Sequence, residues 1–190
     1  MTKNITHVLG LLLHSAKGFY DVGFNCAYNL KKDNDITGFQ RIASGAVNMS
    51  FAAKLFLKGI HLIDNNISIK SHELLELYEK RPIEIQTKIE NRFKYHLKNN
   101  DEAKLLPAHK LVVSKVVSKN ENQNNESKSK NLKEFLKVHN LTFQNWRYVH
   151  EIKNDGYTYD IDFQTMDSFI KSLIDFINSN PKIDLVLRKN

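Results

Sequence analysis

The chain has 190 residues, with 28 Lys and Arg against 21 Asp and Glu, a formal net charge of +7. A single cysteine, Cys26, excludes an intramolecular disulfide framework and a multi-cysteine metal site. No apolar run reaches the roughly 18–20 residues of a membrane helix, and 41% hydrophobic residues with 11 Phe suffice for one folded domain over residues 1–190. The expectation is therefore a cytoplasmic protein with no membrane partner. A basic balance alone only modestly favours an anionic partner.

Seven glycines and three prolines signal few turns, so long helices are expected. The first is about 4–31. Its apolar run VLGLLL is flanked by His7 and His14, and the pattern continues through Ala16, Phe19 and Ala27. That favours a structural helix over a secretion signal. Cys26 lies among apolar and aromatic residues, as a buried structural thiol would.

The second helix, about 37–64 with Thr37 as its cap, is the clearest. Ile42, Ala46, Met49, Ala53, Phe56, Ile60 and Ile63 form one unbroken apolar face. Beside it runs a polar line of Ser50, Lys54, Lys58, His61 and Asn65. Lys54, Lys58 and His61 could form a cationic groove for RNA, or the line could be a solvated face.

Ser71 is placed to cap a short helix from His72 to about Lys80, in which His72 could hydrogen-bond across to another helix. Pro82 suits the first turn of a helix over 83–98, where Ile85, Ile89, Phe93 and Leu97 repeat every four residues. Glu84–Lys88 and Glu90–Lys94 are i,i+4 pairs on it.

The stretch LLPAHKLVVSKVVSK fits helix or strand. Residues 118–131 contain no hydrophobic side chain and read as an exposed insertion loop. Residues 104–137 hold eight lysines and three glutamates, a balance of +5, so most of the charge excess lies in and beside this loop. Lys115, Lys119, Lys128 and Lys130 could track a phosphate backbone there.

Leu132, Phe135 or Leu136, His139, Phe143, Trp146 and His150 form one helical stripe. Asn154-Asp155-Gly156 is a turn, YTYDIDF alternates, and Asp162 can cap a last helix. That helix has Met166, Phe169, Ile170, Leu173, Ile174 and Ile177 on its core face and stops at Asn180-Pro181. The tail reads as short and extended.

No glycine-rich phosphate loop or GxSxG serine site occurs. There is no HExxH pattern, and no metal or cofactor is expected. The most suggestive cluster is FQNWRYVHE at 143–151. On a helix, Arg147, His150 and Glu151 share a face, where His150 could move a proton and Arg147 could stabilise an oxyanion. The alternative is an Arg147–Glu151 pair fixing the helix beside a packed His150.

Three stretches in this order resemble the HEPN superfamily of prokaryotic helical domains. They are SFAAKLFLKGI (50–60), SHELLELYEKRP (71–82) and FQNWRYVHE (143–151), followed by an amphipathic helix. The resemblance spans about 35–180. It implies an all-α bundle of four to five helices, here with a long basic insertion, often homodimeric through its late helices. It also implies a role in toxin–antitoxin, phage-defence or RNA-processing systems. The partners it implies are RNA or a protein of antitoxin or nucleotidyltransferase type. Active members are metal-independent ribonucleases with an Arg-x4-6-His motif. No arginine here has a histidine at that spacing; the nearest pairs are Arg92–His96 and Arg147–His150. The leading expectation is therefore a catalytically divergent or inactive binding module. The alternatives are a ribonuclease using Arg147 and His150, and a purely structural interaction protein.

Overall fold

A computed structural model describes residues 3–30, 36–67, 69–113, 131–147 and 157–181. The chain is mostly helical, as expected. Helix α1 is Lys3–Asn29, α2 Ile36–Asn65, α3 Leu74–Glu79, α4 Ile83–Asn99, α5 Asp101–Lys104, α6 Leu132–Val138, α7 Thr142–Arg147 and α8 Phe163–Asn178. The ambiguous lysine-spaced stretch forms strand β1, Ala108–Val113, and the alternating YTYDID forms β2, Tyr157–Asp162. The two pair antiparallel, with Ala108 opposite Asp162 and Val113 opposite Tyr157. The loop residues 118–130 and the tail 182–190 lie outside the described residues.

Helix α2 is the spine. Its predicted apolar face is buried at Ala46, Met49, Ala53, Phe56, Ile60 and Ile63. Helix α1 makes the most extensive contact with it, and α7 and α8 pack on it elsewhere. The α1–α2 crossing runs antiparallel, because Gly59 of α2 meets Leu13 near the start of α1 and Gly23 near its end meets Met49. A Cβ on Gly23 would lie 2.6 Å from Met49 Cγ and 2.8 Å from its backbone nitrogen, so only glycine allows this approach.

The span Gln40–Asn65 is long and apolar enough to cross a membrane, but 67% of its most apolar window is buried inside the protein. Its hydropathy is that of a core helix.

Helix α8 closes the core and is buried on most of its circumference, with Phe163, Met166, Phe169, Ile170 and Leu173 all fully buried. Its buried polar residues are satisfied. Ser168 Oγ donates to the Gln164 carbonyl at 3.0 Å and Ser172 Oγ to that of Phe169 at 2.6 Å. Asp167, 0% exposed, accepts from Tyr20 Oη and from Asn100 Nδ2, each at 2.6 Å. One carboxylate thus ties α1, the α4–α5 junction and α8 together. Burial and the Asp167 charge push the Tyr20 hydroxyl well above its ordinary value.

Asp162 caps α8 as expected, accepting from the Thr165 amide at 2.9 Å and its hydroxyl at 2.6 Å. Ser71 does not cap α3. It accepts from the Glu73 amide instead, and Asn140 Oδ1 receives the Leu75 amide at 2.8 Å. A residue 65 positions away therefore does what the local sequence offered Ser71 for.

The stripe read as one helix from Leu132 is broken into α6 and α7. His139 ends α6: its Nε2 accepts from the Asp162 amide at 3.2 Å, which makes Nδ1 the donor to the Phe135 carbonyl at 3.1 Å. The same imidazole stacks on Phe135 with centroids 4.3 Å apart.

Candidate cationic-aromatic site

The site is built on the polar line of α2. The solvated-face reading of that line fails for Ser50 and Lys54, which are 0% and 4% exposed. The cause is α7, which lies across this part of α2 and was invisible to the helical periodicity. Phe143 of α7 stacks on Phe51 of α2 with ring centroids 4.9 Å apart and 22° between planes. Phe19 of α1 meets the other side of the cluster edge-on, 4.6 Å from Phe51. The buried Trp146 anchors α7.

Lys54 Nζ enters this aromatic pair, 5.3 Å from the Phe51 centroid and 5.0 Å from that of Phe143. Its hydrogen-bond partner is His72 Nδ1, at 2.6 Å. An ammonium can only donate, so Nδ1 is the acceptor and the imidazole carries its proton on Nε2. His72 thus makes the cross-helix bond foreseen for it. The turn that presents it is set by Ser71, which donates to Glu76 and accepts from the Glu73 amide.

Arg147 sits one turn beyond Phe143, with its guanidinium carbon 5.8 Å from the same ring. Its side chain is exposed. Lys58, one turn beyond Lys54 on α2, is half-buried.

The electrostatics agree with a crowded cationic cluster. Burial lowers the Lys54 amine below its ordinary value, and the Lys58 and Arg147 charges lower it further. Burial also lowers Lys58. The Lys54 charge, then slight desolvation and Lys58, holds His72 below the usual histidine range. No salt bridge among the described residues joins Lys54 or Lys58 to a carboxylate. Glu76 is engaged by Ser71 and Lys80, and Glu73 by Asn140 Nδ2 at 2.8 Å.

The foreseen residues therefore divide. Lys54, Lys58 and Arg147 come together, and His72, read as structural, joins them. His61 faces elsewhere. Burial lowers it, and its charged neighbours are Arg81 and Lys80. His150, Glu151, Lys115, Lys119, Lys128 and Lys130 lie outside the described residues. Cys26 is half-buried, and burial raises its thiol despite the opposing effect of Arg41.

A second arrangement joins α4 to α8. His96 Nε2 lies 2.7 Å from Asp175 Oδ2, Arg92 Nη2 donates to Ser179 Oγ at 2.8 Å, and the guanidinium carbon is 5.8 Å from the Phe176 ring. Arg92 and His96 stand one turn apart, which the sequence displays. Their acidic partner is 79 residues further on, which it does not. Among the described residues no group of three His, Cys, Asp or Glu side chains could hold a metal ion.

This is a helical protein with an aromatic-lined cationic cluster where α2, α7 and the approach to α3 meet. No protein-family model, curated protein or solved structure matches the chain.

Proposed function

We propose that the chain is a HEPN-like helical bundle, catalytically divergent, that binds RNA through Lys54, Lys58, His72 and Arg147 with Phe51 and Phe143. In this reading it acts as a homodimer in a bacterial defence or toxin–antitoxin setting. One observation carries it. The three stretches that bear the family resemblance are far apart in sequence, yet each sends a side chain into one cluster: Lys54 from the first, His72 from the second, Arg147 and Phe143 from the third. Cations interleaved with aromatic rings suit a single strand, because phosphates need positive charge and unstacked bases need a π-face.

The test is fluorescence anisotropy of labelled single-stranded RNA against salt. Three cations, Lys54, Lys58 and Arg147, predict a slope of about −2 in log affinity against log salt, at roughly −0.7 per neutralised phosphate. Arg147→Gln and Lys58→Gln should each reduce the slope by about 0.7. Salt-independent binding, or none, would remove the reading and leave a protein-interaction role, with an antitoxin or nucleotidyltransferase as partner.

A metal-independent ribonuclease is the second reading, and the α4–α8 arrangement favours it. His96, its Nε2 held by Asp175, can take a proton at Nδ1 from a ribose 2′-hydroxyl as the 2′-oxygen displaces the 5′-oxygen from phosphorus, and Arg92 can stabilise the charge on the phosphorane. Cleavage of labelled RNA in EDTA, compared with His96→Asn, Arg92→Gln, Arg147→Ala and His150→Ala, decides both the activity and its location. No cleavage by the unaltered chain eliminates this reading.

A further inference from the structure

A cavity of about 430 Å³ lies where the start of α1 meets the end of α2 and the segment leading to α3. That volume is within the roughly 300–1,000 Å³ of small-molecule sites. Its apolar wall is Val8, Leu12, Leu62 and Ile69, all aliphatic. Its polar lining is Lys58, Lys70 and His72, with no carboxylate and no Phe, Tyr or Trp. Lys70 is exposed and Lys58 half-buried. Neither lysine makes a hydrogen bond or ion pair with a described residue. His72 spends Nδ1 on Lys54, which leaves Nε2 as its remaining donor.

We propose that this cavity binds a straight-chain aliphatic carboxylate, with its chain against the four aliphatic side chains and its head group at Lys58, Lys70 and His72. The charge complementarity sets the head group. Two lysines and the neutral His72 Nε2–H line the cavity beside the apolar wall, with no carboxylate among its described lining. The wall sets the body of the ligand. A nucleobase would find only the single imidazole of His72 to stack on, and no free acceptor side chain in the lining to read its amino groups. A flexible hydrocarbon chain needs only apolar surface, and gains about 0.8 kcal/mol for each methylene it buries. The site shares Lys58 and His72 with the RNA cluster but does not depend on that function.

The experiment is isothermal titration of the full chain with hexanoate, octanoate and decanoate below their micelle concentrations. Saturable one-to-one binding is expected, with affinity rising up to about fourfold per added methylene. Decanol and decyltrimethylammonium should bind at least about tenfold more weakly than decanoate, because neither can accept from the lysines as a carboxylate does. Lys58→Gln and Lys70→Gln should each weaken decanoate about five- to tenfold. Val8→Trp, at a position 52% exposed and so compatible with folding, should block the mouth and abolish binding. Lys94→Gln, whose lysine pairs with Glu90 on α4, should leave binding unchanged.

A parallel arm uses anionic phospholipid vesicles. Vesicle binding that needs Lys58 and Lys70, without binding of free decanoate, would overturn the proposal in favour of a membrane surface. Equal affinity for decanol, no chain-length dependence, or full binding by both lysine variants would also overturn it. Thermal melts of the lysine variants check that each is folded.

Discussion

Lys54→Met separates a functional lysine from a structural one. The substitution keeps an unbranched stem in a position 4% exposed, removes the amine and puts sulfur in place of one methylene. Three terms change. The charge-assisted bond to His72 at 2.6 Å is lost, about 1.5–3 kcal/mol. The contacts with Phe51 and Phe143 are lost, about 1–2 kcal/mol together. Against these, the fold no longer holds a desolvated ammonium without a carboxylate, a penalty of several kcal/mol. The terms nearly cancel. The variant should therefore melt within about 4 °C of the parent at neutral pH, at roughly 2–4 °C per kcal/mol for a chain of this size. RNA affinity should fall about tenfold, because the cluster loses one positive charge and His72 loses the bond that orients it. Differential scanning calorimetry and anisotropy on the same preparation measure both. A melting point more than 8 °C lower with unchanged RNA affinity would show that Lys54 is a strut, and would refute the argument.

Other outcomes follow from the same geometry. Asp167→Asn removes the charge of a fully buried carboxylate that accepts from Tyr20 and Asn100 and pairs with Lys171 at 3.4 Å, and leaves one acceptor atom in place of two. The cost should be about 3 kcal/mol, seen as a melting point about 6–12 °C lower. Gly23→Ala forces a methyl into Met49 and should destabilise by about 1–3 kcal/mol in urea unfolding, with little change in the slope against denaturant. His61 and His72 are both held below the ordinary histidine value in the folded chain. The unfolded chain therefore binds more protons across the window just below pH 6.5, so stability should rise with pH there. Replacing both residues by Asn should flatten that rise in chemical unfolding followed from pH 5 to 7. Lys54 gives a second such rise, below the ordinary lysine value, which Lys54→Met should remove.

The helices of the first hundred residues were legible because each carries its own apolar period. The predicted 83–98 is α4 within a residue or two, and 37–64 is α2. The failures were at positions decided by a distant partner. The polar line of α2 read as a solvated face because its periodicity is that of a surface, and only the packing of Phe143 on Phe51 buries Lys54. The stripe from Leu132 to Trp146 keeps helical spacing across a real break, because the break comes from His139 binding the Asp162 amide. Ser71 was a sound local cap displaced by Asn140. In the site, cation identity was readable in Lys54, Lys58 and Arg147. That His72 belongs with them, and that Asp175 stands against His96, required the fold.

Photo-crosslinking tests the RNA cluster most directly. Single-stranded RNA carrying 4-thiouridine is irradiated with the full chain, and the attached peptides are mapped by mass spectrometry. Crosslinks are expected to concentrate in residues 51–58 and 143–147, to fall with Arg147→Gln and to be suppressed at high salt. Crosslinks confined to residues 115–130, or to 92–96, would place RNA elsewhere and contradict it.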